Sequence, residues 1–368
     1  MLETLKFGEG NWANKTDSTL AYSDQYGNFQ AIPFDFTRAT TATRVNKQGL
    51  IESVNEGIAR INYSDSTQGA LLLEPQRTNL MQYSNNFTNW STIGNPTLNS
   101  NHGVSPDGKQ NSTRVQMASG DRIYKGTTLV SDASFSVYLK GSGEVRLRNS
   151  ANTVFTEVTL TSEWVRYYNV GDFTSNTNVQ IQCLSGVSDF EMYGAQFEEG
   201  SYATSYIPTN GAIATRNQEL CNDATPEINS AEGVLYAEIS ALANDGEIRY
   251  LGLNDGSNDN RVVILYHNSN DSIRAILSSG GTKYVDVTSN VTSVLDFHKV
   301  AIRYSSSEFS LWIDGVEVAT DTSLNVPIGL NNLDFSINGG GPFYGNTKGV
   351  KLYNTALTDA QLQTLTTI

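Results

Sequence analysis

Two acidic side chains on one strand face could hydrolyse a glycosidic bond, so paired carboxylates are the first chemistry to look for. In retaining glycosidases the two carboxyl groups lie about 5–5.5 Å apart. The nearest candidates are Asp189 and Glu191, which alternate in the stretch SDFEMYG. Alternating acids are also typical of the solvent face of an ordinary strand. We favour this second interpretation and predict no catalytic residue.

The remaining nucleophile and metal patterns are missing from the sequence. The three histidines stand alone, without the spacing of metal ligands. No serine lies in a Gly-x-Ser-x-Gly elbow, and no glycine-rich loop has the pattern that cradles a phosphate. The sequence therefore predicts a protein that is not an enzyme.

Calcium is the one metal for which the sequence offers candidate ligands. The stretch NDGSNDN, residues 254–260, supplies the carboxylates of Asp255 and Asp259 together with amide oxygens. Such hard oxygen donors are those that Ca²⁺ prefers. Asn, Asp and Gly are equally common in hairpin turns. Both interpretations stay open, and no other cofactor is predicted.

Aromatic side chains beside amides or acids could bind a sugar by ring stacking and hydrogen bonding. Eighteen tyrosines leave many candidates. Each candidate could equally be a core residue or part of a cross-strand pair on a sheet face. The glycan-binding candidates that we select are Trp90, Tyr138, Tyr168, Tyr266 and Tyr344.

Composition indicates which elements position these residues. The 368 residues are enough for two or three domains, and 31 glycines with only 17% charged residues favour strands joined by polar turns. The net charge of −14 would repel nucleic acid and anionic membranes. Two cysteines cannot form a disulfide framework, and Cys183 is expected to be a buried free thiol. The first residues lack a signal peptide, so we expect a soluble protein that is not exported by its own signal.

Apolar residues alternate with period two in the middle of the chain, which is the pattern of strands with one buried face. SFSVYLKG places Phe135, Val137 and Leu139 on one side, and EVRLRN places Val145 and Leu147 inward. Similar runs recur every 8–12 residues or so, as an antiparallel sandwich requires.

A second series of such runs follows residue 213. In FSLWIDGVEVAT the Asp314–Gly315 pair predicts a tight hairpin, because both central residues of a type I′ turn need positive φ. Thr358 and Gln361 predict a capping box at the start of one short helix, with Leu362 and Leu365 on its apolar face. This region is therefore a second sandwich that ends in a helix.

The segments on either side of the middle module are less regular. Tyr202, Tyr206 and Ile207 lie in a Gly- and Pro-containing linker and are expected to pack back on the middle module. Near the N-terminus the sequence predicts a hairpin with its turn at residues 46–49 and short strands in ARINY and GALLLEP. These short strands carry too little apolar mass for a core of their own.

We therefore predict an all-β chain with two antiparallel β-sandwich (jelly-roll) domains in tandem. The expected divisions are a β-rich N-terminal attachment segment (1–79), a sandwich like a carbohydrate-binding module (80–212) and a second sandwich (213–368) that carries the short C-terminal helix.

Four ordered motifs carry a family resemblance over about half of the chain, from Phe34 to Arg216. FDFTRATTATRVNKQGLIESV, ARINY, ALLLEPQRTNLMQYSNNFTNW and GAQFEEGSYATSYIPTNGAIATR together resemble virion proteins of tailed bacteriophages, of the head-spike or tail-fibre type. SLWIDGVEVA and VKLYNTALTDAQLQTL resemble the concanavalin A-like lectin/glucanase superfamily in its laminin G-like form. This second resemblance supports a fold more than an activity.

The resemblance implies a structural component of a phage particle that adheres to host or environmental glycans. Its implied location is the virion, assembled in the bacterial host cytoplasm, and its implied partners are other virion proteins and host-surface glycans. It also implies a homo-oligomer, commonly a trimer. A decoration protein that binds only other virion chains is the alternative, and a polysaccharide depolymerase ranks third.

Overall fold

Strands dominate the computed structural model, which describes residues 1–24, 28–174, 178–268, 270–338 and 340–368. The first strands are β1 (Leu5–Gly8), β2 (Asn14–Lys15), β3 (Ser18–Ser23), β4 (Gln30–Thr37), β5 (Ala42–Val45), β6 (Ile51–Val54), β7 (Arg60–Asn62), β8 (Ala70–Leu73), β9 (Arg77–Asn79), β10 (Ser91–Ile93), β11 (Thr97–Asn99), β12 (Thr113–Ala118), β13 (Arg122–Gly126), β14 (Ala133–Asn149), β15 (Phe155–Thr159), β16 (Val165–Gly171) and β17 (Asn178–Glu199).

The later strands are β18 (Ala214–Arg216), β19 (Leu220–Asn222), β20 (Glu232–Ala241), β21 (Gly246–Asn254), β22 (Arg261–Asn268), β23 (Ser272–Ser279), β24 (Thr282–Asn290), β25 (His298–Ser305), β26 (Phe309–Ile313), β27 (Val316–Asp321), β28 (Asn332–Asp334) and β29 (Gly345–Tyr353). A 3-10 helix spans Phe87–Asn89, and the α-helix α1 spans Asp359–Thr366. In the described part of the chain, no helix is long and apolar enough to cross a membrane.

The chain forms two compact units that interleave in sequence. Unit 1 comprises Met1–Ala39, Val54–Pro75 and Gln218–Ile368, and unit 2 comprises Thr40–Ser53 and Gln76–Asn217. This differs from the three consecutive segments 1–79, 80–212 and 213–368 expected above. The physical reason is that the short N-terminal strands cannot bury their apolar faces alone and do so within larger sheets.

Unit 1 is a sandwich of two antiparallel sheets. The larger sheet has the order β19-β4-β3-β1-β29-β20-β25-β26-β27, with β2, β7 and β8 at its sides, and the smaller sheet has the order β24-β23-β22-β21-β28. Alternate residues of both sheets meet in one apolar cluster, which includes Phe7, Phe34, Leu235, Ile264 and Leu311. The predicted sandwich in the C-terminal part of the chain is confirmed.

N-terminal strands complete this larger sheet. Leu5 on β1 lies opposite Leu352 on β29, and Leu71 on β8 lies opposite Thr347 on the same strand. The strands predicted in ARINY and GALLLEP are confirmed as β7 and β8, which pair with each other. Because Leu5 and Leu71 are fully buried, this pairing supplies the core that these strands lack on their own.

Two local predictions at the C-terminal end of unit 1 are confirmed. Asp314 and Gly315 have φ angles of 50° and 82° and connect β26 to β27, as a type I′ turn requires. Thr358 caps α1 in a capping box with Gln361. Leu362 on this helix is buried against Trp312 and other residues of the sheet.

Unit 2 is built around two long strands, β14 and β17. The first half of β14 pairs with β16, its second half pairs with β15, and β17 pairs with β14 throughout and with β12 and β13. Register shifts occur along β14, where Gly141 and Gly143 adopt positive φ. The two halves share one apolar core, which includes Phe135, Leu139 and Leu147.

The linker at the end of unit 2 packs on its own module, as predicted. Tyr206 and Ile207 are buried, and the Arg77 guanidinium lies 5.3 Å from the centre of the Tyr202 ring. The hairpin with its turn at residues 46–49 is also confirmed, because β5 pairs with β6 and Gly49 has a φ of 79°. Cys183 and Cys221 are free and buried, which confirms the expected thiol in unit 2.

Each unit buries a cluster of charged and polar residues, and all of them except Glu219 come from the four motifs. In unit 1 the ionic cluster consists of Arg38, Arg60, Glu74 and Glu219, all buried. Arg38 and Arg60 each lie within 2.8 Å of the Glu219 carboxylate, and Arg60 also binds Glu74 at 2.8 Å. Burial alone would lower the pKa of Arg60, but the two carboxylates raise it, so its charge is retained.

In unit 2 the mixed cluster consists of Gln196, Glu198, Thr204, Ser205 and Arg216. Glu198 accepts hydrogen bonds from Gln196 Nε2 (2.6 Å) and from the backbone and hydroxyl of Thr204 (2.8 and 2.5 Å). Arg216 donates to Ser205 Oγ at 2.9 Å. The motif residues at these positions therefore stabilise the interior of each unit.

Candidate functional site

Asp189 and Glu191 lie on the solvent side of β17, opposite Gln116 and Arg114 of β12. The Asp189 carboxylate accepts hydrogen bonds from Arg114 Nε at 2.8 Å and Nη2 at 2.5 Å, and these bonds lower its pKa despite partial burial. A general acid in a glycosidase needs a raised pKa. Asp189 therefore forms a surface ion pair with Arg114, and both acids lie on the solvent face of the strand, as the sequence indicated.

The loop at residues 254–260 satisfies its own polar groups. Asp255 accepts from the backbone and hydroxyl of Ser257 (3.0 and 2.6 Å) and from Asn260 Nδ2 (2.8 Å). Burial alone would raise the pKa of Asp255, but these hydrogen bonds lower it. Asp259 is exposed, and the described residues contain no group of three His, Cys, Asp or Glu side chains placed to hold a metal. Calcium binding stays a prediction.

The five aromatic candidates are not brought together. Trp90 is 5% exposed in the core of unit 2, with its ring 5.4 Å from that of Phe87, and Tyr266 is 3% exposed in the core of unit 1. Neither ring presents a face to solvent. Because a sheet face and a core share the same alternating pattern, the sequence could not separate these two residues from exposed ones.

The other three candidates differ in exposure. Tyr168 on β16 is 54% exposed, whereas Tyr138 is half-buried beneath the Arg166 guanidinium, 5.4 Å from its ring centre. Tyr344 is half-buried, and its hydroxyl donates to Gln218 Oε1 at 3.1 Å. Tyr168 is therefore the candidate whose ring is available for stacking.

A groove of about 650 Å³ lies on the first strands of unit 1, and we call it the aromatic groove. Its lining combines three aromatic rings with charged and amide side chains. The lining residues are Glu3, Lys6, Gly8, Asn11, Trp12, Ala13, Tyr22, Asp24 and Phe29. Pockets that join apolar surface to a few polar groups are the usual form of a ligand site.

Strand pairing places the floor of the aromatic groove. Lys6 on β1 lies directly opposite Tyr22 on β3. Their neighbours Leu5, Phe7 and Ala21 point into the core, so alternation turns Lys6 and Tyr22 to the outer face of the sheet.

Trp12 is held by a turn that requires glycine. Gly8 has a φ of 87°, and a Cβ atom there would lie 2.4 Å from the Lys348 carbonyl oxygen and 2.9 Å from the Trp12 ring. The indole Nε1 donates to the Gln68 carbonyl at 3.2 Å, and the ring meets Phe7 edge-on at 5.1 Å. The indole is therefore fixed in position before any ligand arrives.

Phe29 provides the most open ring of the groove. It is 75% exposed and lies 5.0 Å from the Tyr22 ring, centre to centre. An exposed phenylalanine ring carries a solvation cost that a ligand could relieve.

Charged groups of both signs surround these rings. Lys6 Nζ binds Glu9 Oε2 at 2.7 Å, and this hydrogen bond raises the pKa of Lys6. Lys351 Nζ lies 3.7 Å from Glu3 Oε1. With Asp24 and Asn11, the groove therefore offers acceptors and donors for hydroxyl groups beside apolar ring faces.

Sequence reasoning missed this groove. Its residues lie in short strands and turns without strong alternation, so no pattern assigned them a face. The available signal was compositional, since Trp12, Tyr22 and Phe29 fall within 18 residues of an otherwise polar segment.

The fold is that of a β-sandwich protein with a lectin-like part. Residues 234–363, all within unit 1, match the family described as the concanavalin A-like lectin/glucanases superfamily. The predicted resemblance of the C-terminal part to this superfamily is therefore confirmed. The resemblance to phage virion proteins stays a prediction.

Several solved lectin-like structures are similar to parts of the chain. The CBM40 domain of the Ruminococcus gnavus IT-sialidase, bound to α2,3-sialyllactose, has 18% identity and a TM-score of 0.33, and the match covers 38% of this chain and 83% of that one. The galectin LEC-6 of Caenorhabditis elegans has 9% identity and a TM-score of 0.28, and the match covers 35% of this chain and 88% of that one. Domains LG4-5 of the mouse laminin α1 chain have 9% identity and a TM-score of 0.28, and the match covers 66% of this chain and 90% of that one. A comparison with curated proteins gives no match.

Proposed function

We propose that the protein binds glycans through the aromatic groove of unit 1 and serves as a structural, non-enzymatic component of a tailed-phage particle. The observation that carries the glycan part is the combination of three aromatic rings with acidic, basic and amide groups in one groove. The lectin-like family match of residues 234–363 supports the same class of ligand.

Sugar rings have an apolar C–H face and a rim of hydroxyl groups. Trp12 and Phe29 offer ring surface for the apolar face. Because a hydrogen bond already holds the Trp12 indole, this side chain loses little conformational entropy when a ligand binds. Glu3, Asp24 and Asn11 offer acceptors at the margin of the groove for the hydroxyls. The groove therefore meets both requirements of a sugar ligand.

The environments of Asp189 and Glu191 favour binding without hydrolysis. Asp189 is engaged by Arg114, which keeps its carboxyl ionised, and Glu191 is bonded to Ser112. Neither carboxyl is set up as the proton donor that cleavage requires.

The particle part of the proposal is supported by the four ordered motifs. Residues of these motifs, such as Arg38, Arg60, Glu74 and Arg216, are buried in the ionic and mixed clusters. They are therefore structural determinants of the fold, and the resemblance to head-spike and tail-fibre proteins is one of architecture. We propose accordingly that the protein resides in the virion, as a homo-oligomer with other virion proteins.

A glycan array with the purified chain tests the binding proposal. We expect at least one glycan whose affinity falls about three- to tenfold in Trp12→Ala and in Phe29→Ala, as loss of an aromatic contact predicts. Phe155→Ala removes an exposed ring of unit 2 and serves as the matched control. Equal binding by all three variants would contradict the assignment to this groove.

Three further measurements separate the alternatives. Gold-labelled antibody on purified particles should mark a fixed position on the head or tail, and unlabelled particles would contradict the virion proposal. No bound glycan, with tight binding to isolated capsid or tail parts, would favour a decoration protein. Loss of viscosity in a capsular polysaccharide that survives substitution of Asp189 and Glu191 would reveal a depolymerase with its catalytic site elsewhere.

A further inference from the structure

A second groove, of about 670 Å³, lies in unit 2 and has a different lining. It is formed by amide and hydroxyl side chains with one proline, and we call it the amide groove. The lining residues are Asn85, Asn86, Thr88, Ser100, Asn101, Asn111, Thr113, Pro208, Thr209 and Asn210. We propose that the amide groove is a second glycan site, selective for neutral oligosaccharides. This inference rests on the proposed glycan binding but assigns it to another unit.

Four separate chain segments build the amide groove. They are the start of the 3-10 helix, the turn after β11, the start of β12 and the linker that follows β17. The linker is tied to the helix segment twice, because Thr209 N donates to Ser84 Oγ at 2.8 Å and Ser84 N donates to Thr209 Oγ1 at 3.1 Å. Asn85 Oδ1 accepts from Gly194 N at 2.8 Å. A groove walled by tertiary contacts is preorganised for a ligand.

Asn111 supplies a fixed amide to the wall of the groove. Its Nδ2 donates to Asp107 Oδ2 at 3.0 Å, which fixes the orientation of the amide. Its Oδ1 atom is shielded from solvent and has no hydrogen-bond partner in the described part of the chain. A buried acceptor without a donor is unfavourable, and a sugar hydroxyl that reaches this atom when the side chain shifts towards the groove would supply the missing hydrogen bond.

The lining also determines which glycans fit. None of the described lining residues is charged, so an acidic sugar would find no cation to balance its carboxylate. Amides and hydroxyls offer both donors and acceptors, as the hydroxyls of a neutral hexose chain require. The aromatic groove, in contrast, contains Lys6, Glu3 and Asp24. The two grooves should therefore differ in ligand charge.

Calorimetric titration of the full chain tests this inference. The probes are neutral cello-, malto-, manno- and galacto-oligosaccharides, with sialyllactose and oligogalacturonate as acidic probes. We expect a neutral oligosaccharide whose affinity falls at least tenfold in the Asn86→Ala/Asn210→Ala variant, because both exposed amides are lost. Asn111→Ala should weaken the same ligand. Asn152→Ala removes an amide elsewhere in unit 2 and is the matched control, expected to bind normally.

The outcomes distinguish this inference from the proposed function. Neutral binding that survives Trp12→Ala and Phe29→Ala but is lost in the amide-groove variants supports the inference. Neutral binding that is lost only in Trp12→Ala and Phe29→Ala overturns it and leaves the proposed function intact. Failure of every neutral probe to bind also overturns it, whereas failure of every probe on a broad glycan array overturns the proposed function as well.

Discussion

Both units bury charged side chains, but they balance the charge in different ways. In unit 1 the ionic cluster consists only of ions, and Glu219 bridges Arg38 and Arg60 within 2.8 Å. In unit 2 the mixed cluster gives Glu198 the neutral donors of Gln196 and Thr204, with Arg77 at 4.0 Å and Arg216 within the same cluster. Residues of the four motifs therefore contribute to an interior of ion pairs in unit 1 and to an interior that combines neutral and charged donors in unit 2.

The largest effect should follow from Glu219→Ala in unit 1. The change leaves Arg38 and Arg60 buried with one carboxylate fewer, and breaking a buried ion pair in this way costs about 3–5 kcal/mol. Chemical denaturation should show the loss as a lower midpoint. Glu227→Ala, which removes an exposed carboxylate of the same chain segment, is the control. Unchanged stability in Glu219→Ala would mean that the cluster is not what holds the three segments of unit 1 together.

Glu198→Ala in unit 2 should have a smaller effect. Its partners Gln196 and Thr204 are neutral, each donor left unpaired costs about 1–3 kcal/mol, and Gln196 Nε2 keeps the carbonyls of Thr204 and Ser205 as acceptors. The same denaturation assay compares the two variants directly. A loss as large as that of Glu219→Ala would remove the distinction between the ionic and the mixed cluster.

Thr358→Ala should destabilise unit 1 and leave unit 2 unaffected. Loss of the N-cap of α1 costs about 1 kcal/mol. Calorimetry should therefore show a lower unfolding temperature for the transition of unit 1. The unfolding temperature of unit 2 should stay unchanged. Equal shifts in both transitions would show that the units do not unfold separately.

The smallest effect concerns acid stability. Hydrogen bonds from Arg274 and Lys283 outweigh partial burial and lower the pKa of Asp286 in unit 1 to about 2. Because the folded pKa is depressed, the stabilisation is present above the unfolded value of about 3.9 and is lost as the pH falls towards 2. Solvent screening limits it to roughly 0.5–1 kcal/mol. Asp286→Asn should flatten the dependence of unfolding free energy on pH between 4 and 2, and an unchanged slope would contradict this.

Sequence patterns predicted most of the strands but not the buried charges. Alternation placed Phe135, Val137 and Leu139 correctly in a core. A shift of the strand register by one residue would move all three side chains to the opposite face, so the pattern specifies which face is buried. Turn and capping chemistry predicted the hairpin at Asp314 and the helix after Thr358. Arg60 and Glu219, however, would be read as surface residues by the same rules, since only their mutual contact makes burial favourable.

The candidate sites were harder to predict than the fold. Trp90 and Tyr266 have the residue types of a sugar platform but lie in cores, whereas the aromatic groove arises from β1 and β3. The amide groove draws on four segments between residues 85 and 210. Such sites depend on contacts between distant segments, and one sequence without tertiary information does not specify them.

The pairing of β1 with β29 has a consequence for synthesis on the ribosome. The Thr4 hydroxyl donates a hydrogen bond to the carbonyl of Leu352, across a sequence separation of 348 residues. At roughly 5–20 residues per second, translation of that interval takes about 20–70 s. During this time Leu5 and Phe7 lack their pairing with β29, although Phe7 can already contact Trp12 and Phe34, and residues 76–217 emerge before β29 does. Nascent unit 2 can therefore fold first, and the sheet of unit 1 is completed last, when the final strand emerges.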